Sequence, residues 1–257
     1  MSILETAVET IQAATSPETA FCDFVKAVRQ HGYNNATLSL VTDHPSIGQR
    51  ALHGISTNYP DDWMRFYREK DLHRIDPVYQ RVLLRSGPFF WSDEVAALRV
   101  RQDRPEAFMR AATEMMHQAE DAGLADGIGL SFVNEFGEIA GIGVSRPTRE
   151  EDNRWQTLAD LSLLSTVFYD RFMSFHDVLK PPSFTAREKD ILLWSAHGKS
   201  DWEISGILGI SIATVRFHWK NTFKKLDVNN RTIATIRAIR QKIVIPDGIG
   251  SPIATGK

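Results

Sequence analysis

One stretch of the chain gathers aromatic side chains around a single acid: Tyr59, Trp63, Phe66 and Tyr67, then Asp76-Pro77, then Phe89-Phe90-Trp91. Trp63 and Tyr67 are four residues apart and share one face of a helix. Tyrosine and tryptophan each join a large apolar surface to one hydrogen-bond donor, and a carboxylate such as Asp76 accepts from an amide N–H. Such a set suits a pocket for a small amphiphile with a polar head and an apolar tail. Spacing alone leaves a second reading open, in which the aromatics are core and Asp76 caps the turn before Pro77.

A second set lies far downstream. Arg216, Lys220 and Lys224 recur every four residues and lie along one helix face, opposite Val215, Trp219 and Leu226. A long cationic face backed by an apolar one is what a recognition helix needs to enter the major groove of duplex DNA. Arg216 can reach guanine O6 and N7, and Lys220 a base or a phosphate. Thr214, His218, Asn221 and Lys225 suit backbone anchors, which set register without reading sequence. A solvated basic helix in a small bundle is the plainer alternative. The histidines are scattered (His31, His44, His53, His73, His117, His176) without ligand spacing, and no nucleophile motif or glycine-rich phosphate loop is present. No metal, cofactor or catalytic site is therefore expected.

The elements that must position these groups fall in two blocks. Lys180-Pro181-Pro182-Ser183 removes two amide donors and forces extended backbone, so no helix crosses it. Before it, residues 17–31, 60–69 and 104–122 read as helices. Asn34 to Val41 and Arg50 to Ser56 have strand character, and 127–133 with 138–145 read as a hairpin about Glu135-Phe136-Gly137. Thr148 can cap a last helix running to Phe175, with Trp155, Leu158, Leu161, Leu164, Phe168 and Phe172 at helical spacing. The order implies an α+β chain: an N-terminal α-β-α sandwich with a central antiparallel sheet, followed by an all-α domain. Cys22 lies in an apolar helical run and reads as core, and a lone cysteine fits a reducing compartment.

After the linker every element reads as helix. Thr185 to Glu188 and Ser200 to Glu203 are capping boxes, Ser211 can cap a third helix to Leu226, and Asn230 or Thr232 a fourth. Gly198 and Gly209 sit where left-handed turns are wanted. Ile191, Leu192, Ile204, Leu208, Ile210, Val215, Leu226, Ile233 and Ile236 can close a small core. Charge divides with the blocks: 183–245 holds 11 Lys and Arg against 5 Asp and Glu, whereas 1–182 holds 18 against 26. A basic small domain on an acidic larger one suggests polyanion contact at one end only. The domain reading is 1–175, a linker 176–183, a DNA-binding unit 184–245 and a flexible tail 246–257. No membrane span or signal peptide is evident, which places the chain in the cytoplasm.

The run from Phe184 to Ile239, with Glu188, Gly198-Lys199-Ser200, Ile204, Gly209-Ile210-Ser211, Thr214-Val215, His218, Lys225-Leu226 and Arg231, resembles the four-helix DNA-binding domain of the LuxR family, without gaps. More weakly, Thr19 to Phe175 resembles the autoinducer-binding domain of LuxR-type quorum-sensing receptors, through Trp63-x3-Tyr67-x8-Asp76-Pro77 and Trp91 fifteen residues after Asp76. The resemblance implies a pocket for an N-acyl-L-homoserine lactone. Trp63 would donate to the lactone carbonyl, Asp76 accept from the amide N–H and Tyr59 donate to the acyl carbonyl, while Tyr67 and Trp91 wall the cavity. Gly127, in Ala119-x3-Gly123-x3-Gly127, matches a position where backbone passes close by.

Two departures stand out. Many members carry Ser or Thr on the hairpin strands where this chain has Gly129 and Gly143, and Ser131 replaces a usual proline. The loss of two side chains implies added space, hence a long, branched or aromatic acyl group. A homodimer on a palindromic operator is expected, with RNA polymerase as a further partner; the helix from Trp155 to Phe175 is the candidate dimer contact, and packing within the domain core is the alternative for it. Two rivals share the DNA-binding half: a solo receptor for a non-lactone molecule, and a phosphorylation-driven regulator. The latter needs an acidic cluster and a βα repeat that 1–182 lacks.

Overall fold

Alternation along the strands gives the central sheet two unlike faces. The computed structural model describes residues 2–98, 104–134, 136–149, 154–176 and 182–246. In it β1 (Asn35–Leu40), β2 (Leu52–Thr57), β3 (Gly87–Phe90), β4 (Asp126–Val133) and β5 (Ile139–Arg146) form an antiparallel sheet in the order β2-β1-β5-β4-β3. Ala36, Leu38 and Leu40, Ile128 and Leu130, and Ala140, Ile142 and Val144 share one face. They pack under α1 (Ile3–Ala13), α2 (Pro17–Arg29) and α7 (Arg154–Ser174) through Phe24, Val28, Leu161, Leu164 and Phe168. The opposite face is small or polar: Thr37 and Ser39; Gly127, Gly129 and Ser131; Gly141, Gly143 and Ser145. Across it lie α3 (Asp61–Glu69), α4 (Pro77–Leu84), α5 (Trp91–Leu98) and α6 (Glu106–Asp121). Residues i and i+2 share a face, so one strand repeat builds a dry core above and leaves room below. This is the sandwich expected.

Several details differ from expectation. Cys22 is exposed, because α2 turns Phe24, Val25, Ala27 and Val28 inward and a residue two places before Phe24 faces the other way. Trp155 is 73% exposed, while the other five apolar positions of its stripe are buried in the core. The start of α7 expected at Thr148 involves residues 150–153, outside the described residues, as do Glu135 of the hairpin turn, most of the linker (177–181) and the tail beyond Pro246.

A second compact unit follows the linker, made of α8 (Ala186–Ala196), α9 (Asp201–Leu208), α10 (Ile212–Leu226) and α11 (Arg231–Arg240). Thr185 and Ser200 each close a capping box, with Glu188 and Glu203, while Ser211 and Asn230 cap α10 and α11. Gly198 (φ 76°) and Gly209 (φ 63°) adopt the left-handed turns. The core departs from the expected set: Ile233 and Ile236 are 44% and 54% exposed, and α11 buries Ala234 and Ala238 instead. Small residues on that face let α11 approach α8 closely.

Candidate functional site

Asp76 organises the pocket wall. It caps α4, its Oδ1 accepting the backbone N–H groups of Val78 (2.8 Å) and Tyr79 (3.2 Å), with Pro77 in the first helical position where no donor is needed. Its Oδ2 accepts the Tyr67 hydroxyl at 2.7 Å. Tyr67 reaches it from α3, whose inner face also carries Trp63. The capping role and the pocket role, alternatives in the sequence, fall to one carboxylate. Burial pushes the Asp76 carboxyl above its usual range, although Tyr67 and the two backbone amides pull the other way. Burial likewise pushes the Tyr59 and Tyr67 phenols up, so both stay neutral donors.

Between this wall and the small-residue face of the sheet lies a cavity whose lining is mainly apolar, with a few polar groups. Tyr59, Trp63, Tyr67, Asp76, Trp91 and Gly143 all line it. Of the buried polar atoms on residues that line it, Thr37 Oγ1 and Trp91 Nε1 have no hydrogen-bond partner among the described residues, and Tyr59 Oη has at most a weak one in the Ser145 hydroxyl. A buried donor without an acceptor is costly, and a cluster of them beside an apolar cavity is the signature of a site built for a polar group from outside.

The glycines play two different parts. Gly143 borders the cavity, where a Cβ would lie 3.0 Å from the Tyr59 hydroxyl. Gly129 lies outside the lining, contrary to expectation: it pairs with Phe89 across β3 and β4, and the Phe89 ring occupies the space its missing side chain leaves. Gly127 also lies outside the lining and seats the Trp91 indole, which a Cβ there would meet at 2.6 Å. Ser131, in the usual proline position, donates to the Val82 carbonyl at 2.7 Å and ties β4 to α4. His53, Ser39 and Thr37 belong to the lining and were not expected there. The alternation of β1, opposite Ala36 and Leu38, was the available signal for Thr37 and Ser39.

In the second unit, α10 exposes Arg216, Lys220 and Lys224 along one side and buries Val215, Trp219 and Leu226 on the other. Phe217 is exposed beside them, at 60%. His218 and Asn221 are half-buried at the margins, and the Thr214 hydroxyl lies 2.8 Å from Ser211 Oγ in the helix cap. Lys225 does not stand with the free cations. Its Nζ is 2.6 Å from Glu188 Oε2 and 5.4 Å from the centre of the Phe184 ring. Burial raises Glu188, but the Lys225 ammonium and the Thr185 contacts outweigh it and the net shift is downward. Lys225 thus locks α10 to α8 rather than anchoring a phosphate.

Comparisons with known proteins match both halves of the chain. Residues 16–172 match the autoinducer binding domain, and residues 182–238 the bacterial regulatory proteins of the luxR family. The regulator y4qH of Sinorhizobium fredii is 34% identical over 209 residues, 80% of this chain and 61% of that protein. The quorum sensing-dependent regulator RpaR of Rhodopseudomonas palustris is 30% identical over 187 residues, 72% of each chain. A solved structure of SdiA, a regulatory protein of Escherichia coli, in complex with octanoyl-rac-glycerol superposes with a TM-score of 0.68 at 25% identity, covering 93% of this chain and 94% of that one. The chain belongs to the LuxR family of transcription regulators, with an autoinducer-binding domain ahead of its helix-turn-helix.

Proposed function

We propose that the autoinducer is an N-acyl-L-homoserine lactone, held in the cavity under the small-residue face of the sheet. The observation that carries this reading is the lone-pair count of Asp76. A carboxylate offers about four acceptor positions; three are taken by Val78, Tyr79 and Tyr67, which leaves one for an amide N–H. The Tyr59 hydroxyl, which faces the cavity beside Gly143, suits the acyl carbonyl, and Trp63 the lactone carbonyl. Tyr67 and Trp91 wall the cavity.

The acyl group is bulky or extended in this reading, on narrower grounds than two glycines supply: only Gly143 opens onto the cavity. Thermal protection by a short straight-chain lactone exceeding that by bulky ones would end this part of the proposal.

Asp76→Asn tests the head-group assignment. Asparagine keeps Oδ1 for the helix cap but puts an NH2 donor in place of the Oδ2 that accepts from Tyr67, and it loses the charge that favours the ligand N–H. A charge-assisted hydrogen bond contributes about 1.5–3 kcal/mol, so lactone affinity should fall by roughly 10- to 100-fold, read as loss of ligand-induced thermal stabilisation. The rival ligand class is set by SdiA, whose solved complex holds octanoyl-rac-glycerol. If that monoacylglycerol stabilised the protein and Asp76→Asn left the effect intact, while lactones did nothing, the non-lactone reading would replace this one.

On the output side, the ligand stabilises the folded sensor by mass action and sets a homodimer whose recognition helices meet half-sites of a palindromic operator about one turn apart. Most of the α7 stripe is core, so the surface it has left for a partner is the outward line of Trp155 and Leu163. RNA polymerase and a cytoplasmic location complete the reading; among the described residues no helix is long and apolar enough to cross a membrane. Arg216 and Lys220 are the base readers. Arg216→Ala should relax preference at one base pair and weaken operator binding by roughly 1–3 kcal/mol. Selection from a randomised duplex library checks this, and an unchanged profile would show the wrong face has been assigned.

A further inference from the structure

Along the sheet the cavity continues past the head-group site. Thr37 pairs with Gly143 beside the Tyr59 hydroxyl, and two residues on Ser39 pairs with Gly141, over which Val82 packs. Two residues of strand span about 7 Å, so an acyl chain running along the sheet from Tyr59 comes next to Ser39 and then to Val41. His53 from β2 lies there. Its ring stacks on Tyr67 with centroids 4.4 Å apart and planes at 17°, and its Nδ1 is 3.0 Å from Ser39 Oγ. Both His53 and Ser39 line the cavity.

The protons of this pair do not balance. Burial, with His73 and Arg68 adding to it, lowers the His53 pKa to about 4, so the imidazole is neutral and carries one N–H. Ser39 Oγ already accepts the Gly54 backbone N–H at 3.1 Å. The serine hydroxyl and the imidazole therefore hold two protons but share one hydrogen bond. Whichever group donates in that bond, one donor is left over, the His53 Nε2–H or the Ser39 hydroxyl, on a residue that lines the cavity, and no hydrogen bond among the described residues takes it. An all-apolar acyl chain offers it no acceptor.

We propose that the Ser39–His53 pair is a specificity device that selects an acyl group bearing an oxygen acceptor about 7 Å from the amide carbonyl, such as a hydroxyl on an aryl or alkyl tail. The inference rests on the lactone reading and adds the class of acyl group to it. Stacking on Tyr67 holds the ring, and Tyr67 is held by Asp76, so head and tail recognition share one set of hydrogen bonds.

The test is binding of two matched pairs to the full-length protein: para-hydroxyphenylpropanoyl- against phenylpropanoyl-homoserine lactone, and omega-hydroxyhexanoyl- against hexanoyl-homoserine lactone. The oxygenated member of at least one pair should bind about tenfold more tightly, the worth of one well-placed hydrogen bond. His53→Phe with Ser39→Ala, which keeps the stacked ring, should erase that preference, the two members of each pair then binding alike; His53→Gln, which keeps a donor, should retain it. Equal affinities within both pairs, or a preference that survives the double substitution, would overturn the inference and leave the lactone reading standing. Failure of all four compounds to bind would overturn both.

Discussion

Gly127→Ala should cost the sensor domain about 3 kcal/mol or more and lower its unfolding midpoint by roughly 6–12 °C. The added Cβ would stand 2.6 Å from the Trp91 indole and 2.7 Å from the Val144 carbonyl oxygen. The second obstacle decides the size of the effect. That oxygen belongs to β5, whose register with β4 runs unbroken from Asp126 to Val133, so it cannot retreat without loosening the ladder. Gly129→Ala offers the contrast, because only the Phe89 side chain is in the way. Phe89→Leu should restore much of the stability lost in Gly129→Ala, whereas Trp91→Leu should not rescue Gly127→Ala. Thermal unfolding of the four variants checks both statements. A Gly127→Ala protein that melted with the parent would show that the indole does not sit on that strand.

The same residues show what the sequence could and could not convey. Period-two alternation in Asp126–Val133 and Ile139–Arg146 is legible, and with it the sheet and its helices on both faces. What alternation omits is the occupant of each gap. Gly129 and Gly143 face each other across the ladder, yet one accommodates a ring from β3 and the other opens to the cavity. The difference depends on Phe89, in a four-residue strand too short to announce itself. Phe89-Phe90-Trp91 reads as one aromatic block, but Phe90 joins the core under α7 while Phe89 and Trp91 join the pocket side.

Charge is ambiguous in the same way. Lys224 and Lys225 both read as DNA contacts until a buried acid, Glu188, claims one of them. Rare residue types at helical spacing single out the pocket aromatics and Asp76, but spacing leaves core and pocket both open, and only the family resemblance points to the pocket. His53 was not legible, since its function comes from Ser39, fourteen residues away and on a neighbouring strand.

Arg231→Ala should destabilise the DNA-binding unit by about 3 kcal/mol, which in a domain of this size lowers its midpoint by roughly 12–24 °C. One guanidinium joins three helices and a loop. Nε donates to Ser195 Oγ on α8 (2.9 Å), Nη1 to Asp201 Oδ1 on α9 (3.2 Å) and Nη2 to the Lys199 carbonyl between them. The same plane lies 5.4 Å from the centre of the Trp219 ring on α10, and Trp219 Nε1 donates to the shared Asp201 Oδ1 at 3.1 Å. Lysine cannot substitute, since a single ammonium on a flexible stem does not reach three acceptors in one plane. Because the network holds the helices and not the DNA, its loss should weaken binding to every duplex alike, whereas Arg216→Ala changes which base pair is preferred. Hydrogen exchange in the full-length protein separates the cases: Arg231→Ala should speed exchange throughout α8 to α11 and leave the strands of the sensor domain unaffected, and unchanged protection in those helices would mean the guanidinium is a surface ornament.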